Sequence, residues 1–109
     1  MTSRLFLVVL GGRINGCNVE LHDVRWVIGE SIEDTIRTLK NEWFGDKKGL
    51  HIDSYRKIQH VDGMSVAVVH SPIKNNSTNE YKLWFVNLGG YSNQSMAEQH
   101  EFGIVVART

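Results

Sequence analysis

Two segments of the chain, residues 4–29 and 82–107, lie over one another without a gap, and nine of the 26 aligned positions are identical. Leu5-Phe6-Leu7-Val8-Val9-Leu10-Gly11-Gly12 falls on Leu83-Trp84-Phe85-Val86-Asn87-Leu88-Gly89-Gly90. Asn15 falls on Asn93, Glu20 on Glu98, His22 on His100, Asp23 on Glu101 and Val27 on Val105. Two buried strands resemble each other simply because both are apolar. That does not account for Gly-Gly, then Asn, then acid-x-His-acid at one fixed offset, so the sequence reads as an internal duplication. The copies are unequal: a helical pattern and a hairpin follow the first, and the second shows only its two strands.

The remaining pattern fills in an α+β domain. Residues 5–10 and 83–88 are apolar runs closed by Gly-Gly, the pattern of strands buried on both faces. Residues 24–28 and 102–107 read as their partners, and the glycine- and asparagine-rich residues 11–20 as a loop. Ile32, Ile36, Leu39 and Trp43 recur at helical spacing, with Ser31 and Asp34 in capping-box positions, which predicts a helix over 32–44. Strands near 50–60 and 64–70 flank Asp62-Gly63, a short hairpin signal. Residues 72–79 are the most polar stretch and read as a loop. The sum is a β-β-α-β-β unit plus a second β-β pair: about six strands in one mixed or antiparallel sheet with one helix, all in a single domain spanning 1–109.

Bulk properties narrow the partners. Twelve Lys and Arg balance twelve Asp and Glu, so nothing suggests a nucleic-acid surface, which needs a basic excess. The first apolar run is too short for a secretory core or a membrane span, and Cys17 is the one cysteine, which excludes an internal disulfide. Cys17 has Ser95 as its counterpart and no base beside it. A cytoplasmic protein is the expectation. One helix of about 13 residues spans roughly 20 Å and cannot cover both faces of a six-stranded sheet, so a homodimer is expected to cover the second face.

The residues that could carry chemistry sit in the repeat. In an extended segment, residues two apart share a face, so Glu20 with His22 and Glu98 with His100 each present a carboxylate and an imidazole together. One account has each histidine capping the Gly-Gly turn of its own copy. The other has both pairs converge on one point, giving acid–base groups or, through His22 and His100, a divalent metal site. No other cofactor is called for. Gly11, Gly12 and Arg13, and likewise Gly89 and Gly90, could hold a small polar or anionic ligand on backbone amides, or could serve only to give positive φ at a tight strand exit. His51 and Asp53 share a strand face and could join the site, or form an exposed surface pair.

Leu-Gly-Gly after an apolar strand, Glu-x-His-Asp, Leu39-Lys40 with Trp43, Leu50-His51-Ile52-Asp53 and Asn87-Leu88-Gly89-Gly90-Tyr91 together resemble the prokaryotic family called domain of unknown function 1543. The resemblance covers most of the chain and implies fold and lineage, with no activity to carry over. Two function classes follow from the residues: a dimeric binding module with a ligand near the Gly-Gly turns, and a small acid–base or metal-assisted enzyme built on the Glu-x-His pairs.

Overall fold

The computed structural model describes residues 2–69, 81–94 and 96–108. The chain divides into two compact units, one of residues 1–59 and 66–70, the other of residues 60–65 and 71–109.

The first unit is a three-stranded antiparallel sheet of order β2-β1-β3, with β1 at Arg4–Arg13, β2 at Leu21–Gly29 and β3 at Asp46–Ile58. Alternation along β1 sends Phe6, Val8 and Leu10 to one face. There they meet Val27, Leu39 and Trp43 in a core to which Leu21, Ile32, Leu50 and Ile52 add partly buried packing. Both pairings run on through the glycines: Gly11 lies opposite His22 on one side and His51 on the other. Gly-Gly therefore does not end the strand. None of Gly11, Gly12, Gly89 and Gly90 has positive φ, which corrects the expectation of a tight strand exit. The use of Gly12 is spatial, because a Cβ on it would stand 2.7 Å from the Trp43 ring.

The predicted helix shortens to a 3-10 turn at Glu33–Thr35 and an α-helix, α1, at Ile36–Glu42. The Ser31 capping box does not form. Instead Thr35, wholly buried, donates its hydroxyl to the Ile32 carbonyl at 2.6 Å. Extended Trp43 ends the helix, its N–H donating to the Leu39 carbonyl at 3.1 Å. Arg25 ties β2 to α1, donating to Asp23 Oδ2 at 2.7 Å and to Glu42 Oε2 at 3.1 Å; the Asp23 contact is the main reason its pKa rises further.

The second unit holds two hairpins. In one, β4 (His60–Val61) and β5 (Met64–Ser65) turn through Asp62 and Gly63, both at positive φ, as the Asp-Gly signal predicts. Of the predicted strand at 64–70, the described residues show only this two-residue piece; residues 66–69 are not strand, and residue 70 and the polar stretch at 72–79 lie outside the described residues. Asp62 Oδ2 accepts the Val106 N–H at 2.7 Å. In the other, β6 (Lys82–Gly90) pairs antiparallel with β7 (Gln99–Ala107).

The expected six-stranded sheet is instead three sheets of three, two and two strands. Apart from β1 with β3, every described pairing joins strands that are neighbours in sequence, so no long-range ladder gathers them into one.

Candidate functional site

The face of the first sheet turned away from α1 carries a cluster that the two-residue alternation builds. Glu20 comes from the residue just before β2, His22 from the start of β2, Gly11 from β1, and His51 and Asp53 from β3. A register shift between Val9 and Leu10 leaves Asp53 as an extra residue in β3, a bulge that re-aims the strand beside the cluster.

The distances are short. His51 Nε2 lies 2.9 Å from Asp53 Oδ1 and 3.1 Å from Glu20 Oε1. His22 Nε2 lies 2.9 Å from Asp53 Oδ2 and 3.6 Å from Glu20 Oε1. One donor atom from each of Glu20, His51 and Asp53 falls within 4.8 Å of the others. Gly11 makes room for this. A Cβ there would run into Glu20 Oε1 and stand 2.8 Å from His51 Nε2 and 3.0 Å from Asp53 Oδ2. The side chains stay half in water: His22 is 52% exposed and Asp53 32%.

The other ring nitrogen of His51 fixes its state. Nδ1–H donates to the Gly49 carbonyl at 2.9 Å, and Gly49 has a φ of +82°, a left-handed conformation that favours glycine. In neutral His51 the Nε2 lone pair therefore faces two carboxylate oxygens. Three acceptors pointing at one another need a proton or a cation between them. The His51 pKa is accordingly raised, first by the Gly49 hydrogen bond and further by Glu20 and Asp53, with desolvation opposing. One imidazole and two carboxylates in this arrangement suit zinc, manganese or iron. The backbone anchor on Nδ1 is the kind of outer partner that metal-ligating histidines use.

The second hairpin repeats part of this layout. Every β6–β7 pair is a β1–β2 pair displaced by one constant offset, so Gly89 faces His100 as Gly11 faces His22. The Glu98 carboxylate lies over Gly89 as that of Glu20 lies over Gly11. His100 Nε2 is 3.7 Å from Glu98 Oε2, and its Nδ1 is 2.9 Å from Asn87 Oδ1, where the first hairpin, β1 with β2, has Val9. Tyr91 donates its hydroxyl to Glu98 at 3.4 Å. No described strand flanks the other edge of β6, so this hairpin has no counterpart of His51 and Asp53. Gly90 pairs with Gln99 at the hairpin end. Arg13 pairs with Asp46 at the end of β1 and, among the described residues, makes no ion pair with the cluster.

Of the residues singled out from sequence, Glu20, His22 and Gly11 thus meet, and His51 and Asp53 join them, which sequence favoured as a surface pair. The signal for the second pair was present: His-x-Asp has the same same-face spacing as Glu-x-His. What sequence lacks is the information that β3 pairs with β1 opposite Gly11.

The fold and the cluster define a small α+β domain with a half-exposed imidazole–carboxylate centre. Residues 17–68, which carry all four clustered side chains, match the model of a family described as Domain of Unknown Function (DUF1543), and the match supports assigning the chain to that family, as the residue pattern implied. Among solved structures, the crystal structure of a protein Il1583 from Idiomarina loihiensis is similar, with a TM-score of 0.77 and 39% identity over 98% of this chain. This chain spans 64% of that protein's length. No curated protein gives a significant match. Among the described residues, no helix is long and apolar enough to cross a membrane.

Proposed function

We propose that the first unit is a divalent-cation centre serving metal-assisted acid–base chemistry. Glu20, His51 and Asp53 are the ligands. His22, on the free side of Asp53, is the group that moves protons. The observation that carries this reading is the convergence of His51 Nε2, Asp53 Oδ1 and Glu20 Oε1 while Nδ1 is held by Gly49. Three protein ligands on a half-exposed face leave a coordination position for water or substrate, the arrangement of catalytic rather than structural metal sites. A small anion near Gly11 fits the same reading only as a ligand of the cation. With Glu20 and Asp53 over that glycine, an anion alone would be repelled.

Calorimetric titration of chelator-treated protein with ZnCl2 and MnCl2 is the test. One ion per chain is expected, with binding lost in His51→Ala and Asp53→Asn and weakened by no more than about 100-fold in His22→Gln, since outer partners typically cost roughly 10–100-fold. No binding by the native chain, or binding indifferent to His51→Ala and Asp53→Asn, overturns the proposal.

The shared register and the glutamate over each glycine support a common origin for the two hairpins. We propose further that the chain forms a homodimer, and the exposed apolar residues of the second hairpin support this. Trp84, Leu88, Phe102 and Val105 are 39%, 61%, 48% and 38% exposed, and a two-stranded ribbon alone is marginal in water. A second copy is the proposed cover. Sedimentation velocity at micromolar concentration should show a dimer; a clean monomer rules it out.

A further inference from the structure

The opposite face of the first sheet holds a cavity of about 310 Å³, and its lining is a different kind of chemistry. Leu10 of β1 forms the floor. Ile36 and Leu39 of α1 and Leu50 and Ile52 of β3 form aliphatic walls, with Lys40 the charged side chain of α1 at the rim. His51 also borders it, but Leu50 and Ile52 pack against the core while the His51 ring turns to the cluster on the other face. Over it, the seven-residue α1 buries Leu39 to 2% exposure and leaves Ile36 at 39%.

Two features say what would enter. Apart from Lys40 and the bordering His51, the lining is aliphatic and holds no acidic residue, so the body of a ligand must be apolar. Lys40 has no ion-pair partner among the described residues. An aliphatic slot with one unpaired ammonium at its mouth complements an amphiphilic anion. We infer that this cavity is a binding site for a small aliphatic carboxylate, its chain between α1 and β3 and its carboxylate on Lys40. The volume sits at the lower end of small-ligand sites, roughly 300–1,000 Å³. The inference does not depend on the cation centre.

Octanoate is the probe, with octanol and octylamine as controls, titrated calorimetrically into the full chain. Octanoate is expected to bind at about 1 mM or tighter, as its size allows, and more tightly than either control. Lys40→Glu should weaken octanoate at least about tenfold, the usual weight of a charged contact. Ile36→Trp should abolish binding by filling the slot. Both positions face solvent in part, and a thermal melt establishes that each variant is folded. Octanol binding as tightly as octanoate, or octanoate binding unchanged in both variants, overturns the inference. So does a dimer that Ile36→Trp dissociates, because a second copy would then be the occupant. Removing a bound cation should leave octanoate binding unchanged, which keeps failure here distinct from failure of the cation centre.

Discussion

Replacing Trp43 with alanine is expected to destabilise the first unit by about 3–5 kcal/mol, the range for deleting a buried tryptophan. The side chain is 5% exposed and sits where α1 turns into β3. Its ring lies over Gly12 and beside Phe44, with centroids 4.4 Å apart, and its Nε1–H donates to the Asp46 carbonyl at 3.1 Å. Truncation therefore removes aromatic packing, opens a void over β1 and takes the partner from a main-chain carbonyl. A domain of this size has about 5–15 kcal/mol in total, so the loss should show as a fall of many degrees in the melting temperature. Chemical denaturation gives the number. A loss below about 1 kcal/mol would mean that Trp43 does not pin the helix end, since core truncations of this kind cost several times that.

The two adjacent glycines should respond to alanine in opposite ways. At Gly12 a Cβ meets the Trp43 ring, which is buried and hydrogen-bonded and has nowhere to go. Gly12→Ala should therefore cost stability, about 1–3 kcal/mol as overpacking does. At Gly11 a Cβ meets the ends of Glu20, His51 and Asp53, which are half-exposed and can swing outward. Gly11→Ala should leave the melting temperature nearly unchanged. It should weaken cation binding by about 100-fold, because the ligands are spread before any ion arrives, the scale on which mispositioned ligands cost affinity. Pairing thermal melts with calorimetry on both variants separates the roles. Equal loss of stability in both would show that the glycines serve packing alone.

Much of this molecule follows from the sequence without any coordinates. Period-two alternation and the apolar runs locate β1, β2, β6 and β7. The helical spacing of Leu39 and Trp43 locates the buried side of α1, and Asp62-Gly63 locates its turn, because each of these signals is local and physical. The sequence places a glutamate two residues before His22 and before His100, and the two pairs lie 3.6 and 3.7 Å apart. The family pattern likewise needs only the residues. Local signals fall short wherever a non-local partner decides. The Ser31 capping box yields to a buried Thr35 that bonds back on its own turn. Gly11 and Gly12 lie within β1 rather than ending it, since the need they answer is close approach by Glu20 and Trp43. The described strands form three sheets rather than one, because sheet order depends on which edges meet.

The cluster shows the same division. Sequence supplies two same-face pairs, Glu20 with His22 and His51 with Asp53, and cannot say that they share a site. Only the placement of β3 against β1, with Gly11 between His22 and His51, brings one imidazole nitrogen and two carboxylates within reach of a single ion. A hydrogen bond from His51 to a carbonyl two residues back then decides which nitrogen faces them. Pairing across strands far apart in sequence is fixed by the energy of the whole sheet and core, which no local window contains.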